Sequence, residues 1–563
     1  MTMKVTLINP PQIYSEYEVG VVMTPPLGLA YLAAYLRQEG LAVELIDAVG
    51  EAPHTVTSYK PGIFLRGLTI EQIIERIPAA TGLIGVSNLF TYAYPVVREL
   101  SAALRETFPG RPIVHGGAHP TAMYAEVLEQ GAADYVILGE GELALTQLCS
   151  HVAGLRPIGE VPSLAYRDSG GKVMVNSMCG VIRNLDRPNM PFPARDLLPM
   201  QNYISSHEAH GATNGLWTPI ISSRGCPYSC NFCQGRRKKW VARSARDVVD
   251  EIEECVNRWG ITEFHFEDDN MTLDRRRTAE LCYQIIRRGL KIKWQTPNGI
   301  RASVVDEALL AKMKAAGCTH ITLAPESGSL RVVRDLMGKG KDYSHKKFLE
   351  LAREAHQLGL KSAAYFILGM PGERPEDIEE TISFAQMLAR AGVDEAGFQL
   401  LIPLPGTPVW DTVVREYGAP DYLDLLVVGD FNRAKSWSKF LTEQQLASYR
   451  RRAYLSFQFY RAIFHPLCFM KTIVNVLQGR AETKIENYVR IFISRQRQSL
   501  ITPATGSGLP DQDSASAKRS ALGIVLQIAV GILARLGKKK PVKAGQGAGR
   551  SDKASYAKVA EYE

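Results

Sequence analysis

The sequence alternates short apolar runs with segments of helical periodicity, and this alternation is the feature that most restricts its fold. In the first part of the chain the apolar runs are Val5–Ile8, Ala42–Ile46, Leu83–Ser87, Pro112–His115 and Tyr135–Leu138, and the helical segments are 27–39, 69–77, 94–107 and 121–129. Buried strands joined by helices of this length predict an α/β domain with a parallel, doubly wound sheet.

Ligands bind to such sheets in the crevice beyond the carboxyl ends of the strands. The turns at those ends are polar or rich in glycine, and they comprise Asn9–Pro11, Ser87–Asn88, Gly116–His119 and Gly139–Glu142. We therefore expect a ligand site along this edge of the first sheet.

A second alternating stretch has the strand candidates Pro219–Ser222, Glu263–Glu267, Lys291–Thr296, His320–Ala324, Ser362–Leu368 and Gly397–Ile402. Strand–helix repeats of this number predict a partial (β/α)6 or a full barrel, with its chemistry at the carboxyl ends of the strands. We divide the chain into a doubly wound domain (1–155), a connector with a hairpin near Asp168 (156–215), a barrel (216–410), a mostly helical region (411–500) and a linker with a basic amphipathic tail (501–563).

The nine cysteines do not form a disulfide framework, because three lie close together and the others are scattered. The scattered six are expected to be buried, apolar-like side chains: Cys149, Cys179, Cys255, Cys282, Cys318 and Cys468. Since no signal peptide precedes the first strand, we expect a cytoplasmic, reducing setting. The formal charge of +8 comes largely from the tail, and the balanced body gives no argument for nucleic-acid binding.

The loop after the first barrel strand carries the chemistry, because it holds Cys226, Cys230 and Cys233 among glycine and proline. Three thiolates can hold three irons of a four-iron cluster, and the fourth iron is then open to chelate a small molecule. A structural zinc site is the competing interpretation. His207 or His210 would supply its fourth ligand, although the cysteine spacing is not that of a zinc knuckle.

The Cys-x-x-x-Cys-x-x-Cys spacing, with Phe232 before the last cysteine, resembles the signature of the radical S-adenosylmethionine superfamily. The resemblance implies that S-adenosylmethionine is contacted by Phe232, by Asp268 and Asp269 (amino group), by Asn298, Arg301, Glu326 and Ser327 (ribose and carboxylate), and by Gly369 and Pro403 (near the adenine). It also implies that the reduced cluster cleaves the carbon–sulfur bond and that a 5′-deoxyadenosyl radical takes a hydrogen atom from an unactivated carbon. A flavodoxin or ferredoxin would donate the electron.

Residues 1–155 resemble the Rossmann-like cobalamin-binding domain that is fused to one large branch of this superfamily. The resemblance assigns cobalamin contacts to Pro26, Leu27, Gly28, Ser87, Asn88, Phe90, Gly116, Gly117, His119, Pro120, Thr121, Gly139, Glu140 and Gly141. Glycines at strand ends let the backbone approach a large planar corrin. The alternative is a domain that serves only for packing.

The Asp-x-His-x-x-Gly motif, through which many cobalamin proteins ligate cobalt, is absent. We expect His119 to be a hydrogen-bonded turn residue and not an axial ligand. Cobalamin would then be bound base-off without histidine ligation, and the loop 87–92 would cover its lower face. An open or weakly ligated position below the cobalt suits a methylcobalamin that gives its methyl group to a carbon radical.

The resemblance favours a cobalamin-dependent radical methyltransferase that acts on an unactivated carbon of a hydrophobic metabolite. One S-adenosylmethionine would reload the cobalamin and a second would generate the radical. A radical cyclase or oxidase of the anaerobic Mg-protoporphyrin ester cyclase type is the first alternative. A non-catalytic cobalamin-binding sensor with a vestigial barrel is an alternative from another class, and the intact cysteine motif argues against it.

The most apolar run of the chain, Ala521–Ala534, is followed by Arg535 and Lys538–Lys540. A helix of this run would span about 21 Å, less than the ~30 Å hydrocarbon core of a bilayer. We expect the tail to associate with an anionic membrane surface, which would make the protein peripheral to the inner face of the membrane. The alternative is a helix that packs on the barrel or on a partner.

Overall fold

Two sheets, the first mainly and the second entirely parallel, share one hydrophobic core and form the centre of the molecule. The structure is a computed structural model, and it describes residues 3–15, 22–178, 181–340, 342–426 and 434–491. The first sheet belongs to the N-terminal domain and the second to the barrel.

The first domain contains the predicted doubly wound sheet. Its strands are β1 (Lys4–Asn9), β2 (Gln12–Ser15), β3 (Ala42–Asp47), β4 (Val56–Lys60), β5 (Ile63–Arg66), β6 (Thr81–Ser87), β7 (Ile113–Gly116), β8 (Tyr135–Ile137), β9 (Leu164–Arg167) and β10 (Val173–Val175). Its helices are α1 (Leu27–Gln38), α2 (Ala48–Glu51), α3 (Ile70–Arg76), α4 (Tyr94–Thr107), α5 (Ala118–Ala122), α6 (Tyr124–Glu129) and α7 (Glu142–Val152). The strand order is β10-β9-β8-β7-β6-β1-β3, and β8, β7, β6, β1 and β3 run parallel.

Three local features refine the expectations for this domain. The hairpin near Asp168 is confirmed, and its strands β9 and β10 extend the first sheet. Strands β2, β5 and β4 form a separate antiparallel sheet, which the sequence analysis did not predict. The predicted helix 121–129 is two short helices, α5 and α6, so His119 lies in a helix and the expectation of a turn was wrong.

The second sheet confirms the predicted partial barrel. After α8 (Met200–Ser206), the barrel region has the strands β11 (Trp217–Ile220), β12 (Ser223–Arg224), β13 (Val241–Ala242), β14 (Glu263–Phe266), β15 (Lys293–Ile300), β16 (Cys318–Glu326), β17 (Lys361–Leu368) and β18 (Glu395–Leu400). Strands β11, β14, β15, β16, β17 and β18 are neighbours in that order and are all parallel. The sheet therefore ends at two edges, β11 and β18, and does not close.

Side-chain caps determine where the helices behind this sheet begin. The helices are α9 (Ala245–Trp259), α10 (Arg275–Arg287), α11 (Glu307–Ala315), α12 (His345–Gln357) and α13 (Pro375–Arg390). Ser244, Asp274, Asp306 and Ser344 each accept a hydrogen bond from a backbone N–H in the first turn of the helix that follows. A cap of this kind contributes about 1 kcal/mol. The caps mark the ends of the loops that form the barrel mouth.

The C-terminal region is helical as predicted, with α14 (Pro408–Tyr417), α15 (Glu443–Phe464) and α16 (Pro466–Leu477). No described helix combines the length and the apolar composition that a bilayer span requires. The run Ala521–Ala534 and the basic residues after it lie outside the described residues.

Beyond α16 the chain returns beneath the barrel as residues 481–491, which we call the floor segment. The Ala481 N–H and carbonyl bond to the Asn214 side chain at 2.9 and 2.6 Å. The Ile485 N–H donates to the carboxylate of Glu395, the first residue of β18, at 3.0 Å. Arg490 donates to the Thr213 carbonyl at 2.8 Å. The floor segment therefore covers the barrel at the amino ends of its strands.

A buried ion network joins the first domain to the barrel. Arg195, from the connector, pairs with Glu251 of α9 at 2.7 Å. Arg243 also pairs with Glu251, and it pairs with Asp247 at 2.7 Å. The Arg243 guanidinium donates in addition to the Tyr31 hydroxyl of α1 at 3.3 Å. The network thus links α1, the connector and α9.

Candidate functional site

The three cysteines of the predicted cluster lie on one loop between β12 and β13. The Lys238 N–H donates to the Cys226 carbonyl at 3.0 Å, and the Arg237 N–H donates to the Tyr228 carbonyl at 2.7 Å. The loop therefore closes on itself. All three thiols are free and partly buried.

This donor set fits a four-iron cluster, which Cys226, Cys230 and Cys233 would hold. The Gly235 N–H donates to Cys233 Sγ at 3.3 Å, and hydrogen bonds to sulfur are one means by which proteins tune such clusters. Burial raises the pKa of the Cys233 thiol to about 11, although the hydrogen bond opposes the rise. Since a coordinated thiol is deprotonated by its metal, this thiol becomes a thiolate when it binds iron.

The two acidic residues after β14 have different environments. Asp268 is buried, and its carboxylate accepts hydrogen bonds from the Ser222 N–H (2.8 Å), the Ser222 hydroxyl (2.6 Å) and the Ser223 hydroxyl (2.5 Å). Asp269 is exposed and accepts the Gly225 N–H at 3.1 Å. Asp268 thus anchors the strand end from which the cysteine loop departs, and Asp269 lies beside the loop with a carboxylate open to a ligand.

Asn298 and Arg301 lie at the end of β15. The Asn298 side chain is exposed. The Arg301 guanidinium carbon lies 3.8 Å from the centroid of the Tyr228 ring, and Arg301 pairs with Asp342 at 2.5 Å. Because Tyr228 belongs to the cysteine loop, Arg301 holds that loop against the end of β15.

Glu326 ends β16 in a left-handed conformation, with a φ of +64°, which is uncommon for a residue with a Cβ atom. Its carboxylate pairs with Lys339 at 3.0 Å. Burial raises the pKa of Cys230; Lys339 opposes this rise and Glu326 adds to it, so the pair lies near the cysteine loop. Ser327 is fully buried, and its hydroxyl bonds to that of Thr381 at 2.9 Å.

Gly369 follows β17, and its N–H and that of Met370 donate to one carboxylate oxygen of Glu373 at 2.5 and 3.0 Å. Burial raises the pKa of Glu373 to about 8, although these hydrogen bonds oppose the rise. Glu373 is not among the residues predicted from the sequence, and the signal for it is a carboxylate four residues after a glycine at a strand end. Pro403 is buried in the turn after β18.

Phe232 packs in an apolar cluster that joins the cysteine loop to the first domain. From the barrel side and the C-terminal region this cluster includes Met337, Met370, Leu401, Trp410 and Trp437, and from the first domain it includes Tyr92 and Met123. The cluster therefore places apolar side chains next to the cysteine loop.

The residues predicted to bind cobalamin lie along one edge of the first sheet and at the start of α1. Pro26, Leu27 and Gly28 begin α1, Ser87 and Asn88 end β6, Gly116 and Gly117 end β7, His119, Pro120 and Thr121 lie in α5, and Gly139, Glu140 and Gly141 follow β8. The Thr121 hydroxyl accepts the Gly139 N–H at 3.0 Å, which ties two of these turns together.

The side chain of Asn88 indicates that this edge of the first sheet is a ligand site. This side chain is buried, and neither its amide oxygen nor its amide nitrogen has a hydrogen-bond partner among the described residues. A buried polar group left without a partner costs about 1–3 kcal/mol, which a bound ligand would offset. Gly117 allows a close backbone approach, because a Cβ atom there would lie 2.4 Å from the Asn88 carbonyl oxygen.

The surface beside Asn88 is apolar and open. Leu89 is 59% exposed and Phe90 is 55% exposed. The Phe90 ring stacks on that of Tyr92 at 5.3 Å. An unpaired buried amide beside exposed, stacked rings fits a large planar ligand with polar substituents, and the residues present therefore fit cobalamin.

The His119 ring is buried between Tyr94 and Tyr422, with centroid distances of 4.5 and 5.3 Å. Its Nδ1 lies 3.3 Å from the Thr91 hydroxyl, and its Nε2 has no partner among the described residues. Burial lowers the pKa of His119 to about 4, so the imidazole is neutral at physiological pH.

Arg224 connects the two predicted cofactor regions. It lies immediately before the cysteine loop and pairs with Glu142 at 2.8 Å and with Glu140 at 3.4 Å. Both acidic residues follow β8 of the first domain. This contact could not be predicted from the sequence, because Arg224 lies more than 80 residues from Glu140 and Glu142 in the chain.

The barrel strands direct polar side chains into the lumen. Alternate residues such as Phe264, Phe266 and Phe398 pack outward in the hydrophobic core. The side chains on the opposite, inward face are His265, Glu267, Gln295, His320, Thr322, Tyr365 and Gln399. His210, one of the two histidines that the zinc interpretation offered as a fourth ligand, bonds to Glu267 at 3.0 Å. Barrel interiors are usually filled by branched apolar residues, so this lumen suits a polar ligand.

Comparison with known proteins identifies both halves of this site. The family model of the Radical SAM superfamily matches residues 220–385, and that of the B12 binding domain matches residues 20–149. An uncharacterized methyltransferase of Pyrococcus horikoshii is 30% identical to this chain, over 81% of this chain and 92% of that protein. An anaerobic magnesium-protoporphyrin IX monomethyl ester cyclase of Cereibacter sphaeroides is 28% identical, over 78% of this chain and 68% of that protein.

The fold has a solved counterpart. The cobalamin-dependent S-adenosylmethionine radical enzyme OxsB, with aqua-cobalamin and S-adenosylmethionine bound, has a TM-score of 0.62 at 17% identity and covers 100% of this chain and 83% of its own. The range matched by the B12 binding domain, 20–149, contains the ligand edge of the first sheet, and the range matched by the Radical SAM superfamily, 220–385, contains the cysteine loop.

Proposed function

Because this chain belongs to the radical SAM superfamily and carries a B12 binding domain, we propose that it methylates an unactivated carbon of a small-molecule substrate. The chain is an enzyme, and its cofactors are a [4Fe-4S] cluster, S-adenosylmethionine and cobalamin. The methyl transfer is supported by the 30% identity to a methyltransferase.

One observation carries this proposal, namely the direct contact between the two cofactor regions. Arg224 bonds the start of the cysteine loop to the turn after β8. Phe232, inside the loop, packs in one cluster with Tyr92 of the first domain. A substrate in the barrel mouth would therefore face both regions, and reacting groups held in this way gain much of their rate from proximity.

The chain's own residues bind and orient the cofactors, and they exclude water from the site. A cluster held by the three cysteines supplies the electron that cleaves S-adenosylmethionine, and bound cobalamin supplies the methyl group. Asp269 presents an open carboxylate beside the cysteine loop, and Asn298 presents an exposed side chain near the end of β15, which supports their role in binding S-adenosylmethionine. Arg301 positions the loop through Tyr228, and the apolar cluster around Phe232 keeps water from the reacting atoms.

A radical cyclase is the second candidate, and the 28% identity to a cyclase over 78% of the chain favours it. The candidates differ in what they do with S-adenosylmethionine. A methyltransferase converts one molecule to S-adenosylhomocysteine and another to 5′-deoxyadenosine, whereas a cyclase forms 5′-deoxyadenosine alone.

We expect the reduced enzyme, loaded with iron and cobalamin, to release about one S-adenosylhomocysteine per bound cobalamin in its first turnover, together with 5′-deoxyadenosine. Liquid chromatography with mass spectrometry and methyl-deuterated S-adenosylmethionine measures both products. Formation of 5′-deoxyadenosine without S-adenosylhomocysteine would assign the chain to the cyclases. Formation of neither product would support a non-catalytic sensor.

A second prediction concerns the lower face of the cobalt. We expect the cobalt(II) EPR spectrum of the bound cobalamin to lack nitrogen superhyperfine splitting, because the His119 ring is enclosed by Tyr94 and Tyr422. The His119→Ala spectrum should match that of the wild type. Nitrogen splitting that disappears in His119→Ala would identify this histidine as the axial ligand.

The electron donor is proposed to be an acidic flavodoxin or ferredoxin. Arg237, Lys238 and Lys239 are exposed at the end of the cysteine loop. A basic patch at this place supports docking of an acidic donor close to the cluster, since complementary charges guide association.

Peripheral association with a membrane is proposed as well, and the exposed apolar face of α15 and α16 supports it. Leu467 is 84% exposed and Leu477 is 81% exposed. The remaining members of this face are Leu455, Phe459, Ile463, Met470 and Val474, all exposed. The apolar run of the tail, which lies outside the described residues, would add to this face. An exposed apolar face of this kind marks an interaction site.

We expect deletion of residues 503–563, combined with Leu467→Asp and Leu477→Asp, to move the protein from the membrane fraction to the soluble fraction. The iron content should stay unchanged, because these residues lie outside the cysteine loop. Sedimentation with anionic liposomes at low salt measures the shift, and Leu155→Asp, on an exposed residue elsewhere, is the control. A full-length protein that does not sediment with the liposomes would contradict the proposed membrane association.

A further inference from the structure

The cysteine loop departs from the barrel and returns to it through the paired strands β12 and β13, which we call the stem. Arg224 is the last residue of β12 and pairs with Val241 of β13. Arg243 follows β13, and its N–H donates to the Ser222 carbonyl at 3.0 Å. One arginine therefore lies at the start of the cysteine loop, and a second lies directly beyond its end. The side chains of both contact the first domain.

Tyr31 of α1 contacts both arginines of the stem. The Arg224 guanidinium carbon lies 5.3 Å from the centroid of the Tyr31 ring, and Arg243 donates to the Tyr31 hydroxyl at 3.3 Å. The ring is buried and packs in one apolar cluster with Leu27, which begins α1, and with Ile221, which precedes the stem. A guanidinium over the ring face and a hydrogen bond to the hydroxyl hold different parts of the same side chain. The stem is therefore fixed to α1 at two points.

Arg224 adds a contact that is directional. Its two terminal nitrogens bond to different carboxylates, Nη1 to Glu140 at 3.4 Å and Nη2 to Glu142 at 2.8 Å. The side chain of Arg224 is 18% exposed and that of Glu142 is 5% exposed, so this pair is shielded from the water and salt that weaken surface pairs. A guanidinium bound at both nitrogens has a fixed orientation. The apolar packing around Phe232 sets no such orientation, because the hydrophobic effect is non-directional.

The partners of the stem belong to the segments that would hold cobalamin. Glu140 lies in the turn 139–141, and Glu142 begins α7 directly after this turn. Tyr31 lies about one helical turn beyond the segment 26–28 at the start of α1. The stem is thus attached to the ligand edge itself and not to a distant part of the first domain. Its contacts therefore determine where the cysteine loop lies relative to a bound corrin.

We propose that Arg224 is a positioning residue, which together with Glu142 sets the separation and the orientation of the cysteine loop relative to cobalamin. This inference rests on the proposed function, because in that reaction S-adenosylmethionine bound at the cysteine loop must reach the cobalt. A displacement of about 1 Å between reacting groups can lower a rate roughly 100-fold. Small changes in the stem should therefore have large effects on any step that uses both cofactors.

The two reactions of S-adenosylmethionine depend differently on this separation. Reductive cleavage takes one electron from the cluster, breaks the carbon–sulfur bond and releases methionine, and the 5′-deoxyadenosyl radical then takes a hydrogen atom from an organic donor. Methyl transfer to cobalamin breaks the sulfur–methyl bond, forms a cobalt–carbon bond with the electron pair of cobalt(I), and releases S-adenosylhomocysteine. Only the second reaction needs both cofactors at the correct distance, so loss of Arg224 should slow it selectively.

The test compares wild-type enzyme with a double variant, Arg224→Met combined with Glu142→Gln, each loaded with iron and cobalamin. Both substitutions are made together so that Glu142 is not left as a buried, unpaired charge. EPR relaxation of cobalt(II) beside the reduced cluster measures the separation, because the magnetic coupling between the two unpaired electrons falls steeply with distance. The double variant should bind iron and hydroxocobalamin like the wild type and show a clearly weaker coupling.

The product rates give a second measurement, with titanium(III) citrate as the reductant and no added substrate. In the double variant the rate of S-adenosylhomocysteine formation should fall roughly tenfold or more, whereas that of 5′-deoxyadenosine should stay close to wild type. Arg37→Met is the matched control. Arg37 joins the same helix, α1, to Asp196 of the connector at 2.8 Å, and it is not part of the stem. This variant should change neither the coupling nor the two rates.

An unchanged magnetic coupling in the double variant overturns the positioning role, and so does an equal loss of both products. If the double variant loses its iron or its cobalamin, Arg224→Lys decides. This substitution keeps the charge but not the two-nitrogen fork, and a coupling identical to that of wild type would then overturn the proposal. Wild-type enzyme that forms no S-adenosylhomocysteine contradicts the proposed methyl transfer, whereas the EPR comparison still tests the role of Arg224.

Discussion

Replacing Cys226, Cys230 and Cys233 together with alanine is expected to abolish iron binding and 5′-deoxyadenosine formation completely. The three thiols are the only cysteines that the loop between β12 and β13 carries, and three thiolates are the minimum that holds a cluster with one open iron. Wild-type protein reconstituted without oxygen should contain about four irons, and the triple variant essentially none. Iron analysis and chromatography of the nucleoside products measure the two effects.

Cobalamin binding provides the internal control for this triple variant. The first domain has its own sheet and its own ligand edge, so the variant should still bind hydroxocobalamin. Cys468→Ala, at a partly buried cysteine of α16, should keep both iron and activity. A triple variant that still cleaves S-adenosylmethionine would contradict the assignment of the cysteine loop.

The second large effect is expected for Glu251→Ala, which should lower the free energy of unfolding by roughly 3–5 kcal/mol. Glu251 is fully buried and is the common partner of Arg195 and Arg243, both of which are also buried. Its removal leaves Arg195 without its carboxylate partner and Arg243 with Asp247 alone. Because the network joins α1, the connector and α9, the loss should also weaken the contact between the two domains.

Denaturant unfolding followed by circular dichroism measures this loss. Glu253→Ala is the matched control, because Glu253 lies on the same helix and pairs with Arg288 at 2.8 Å near the surface. A surface pair of this kind contributes about 1 kcal/mol or less. Equal effects of the two substitutions would show that the buried network does not stabilise the fold.

The same network predicts a dependence on pH. Burial works against ionisation of Glu251, but Arg243 and Arg195 outweigh it, and the pKa of Glu251 is lowered from its ordinary value of 4.5. A carboxylate whose pKa is lower in the folded state stabilises the fold above its unfolded pKa and loses this effect as the pH falls. The difference between wild type and Glu251→Ala should therefore be constant at neutral pH and shrink below about pH 4.5.

The main sheets could be predicted because their strands are buried on both faces and read as apolar runs. The small sheet of β2, β5 and β4 could not be found in this way, since β4 alternates exposed and half-buried residues and contains Lys60. A signal was nevertheless present. Pro61 and Gly62, between β4 and β5, are typical of a tight turn that joins two antiparallel strands.

The candidate site was predictable where its residues are neighbours in sequence. The cysteine spacing located the loop, but it did not indicate that Ser222 and Ser223 engage both oxygens of Asp268. The Ile485 N–H reaches the Glu395 carboxylate only because the floor segment returns beneath the barrel. The periodicity of a local stretch of sequence cannot predict such a contact, because the contact depends on the path of the chain after α16.

The floor segment also bears on how the protein is made. The barrel strands leave the ribosome well before residues 481–491, so the nascent partial barrel is open at the amino ends of its strands as well as at its mouth. The apolar cluster around Phe232 can form at that stage in its barrel part, because Leu401 and Trp410 precede α15. The lower opening closes only after α15 and α16 have been synthesised. A shortened chain that ends at the last barrel strand would therefore keep the cysteine loop but leave its lumen open to solvent from below.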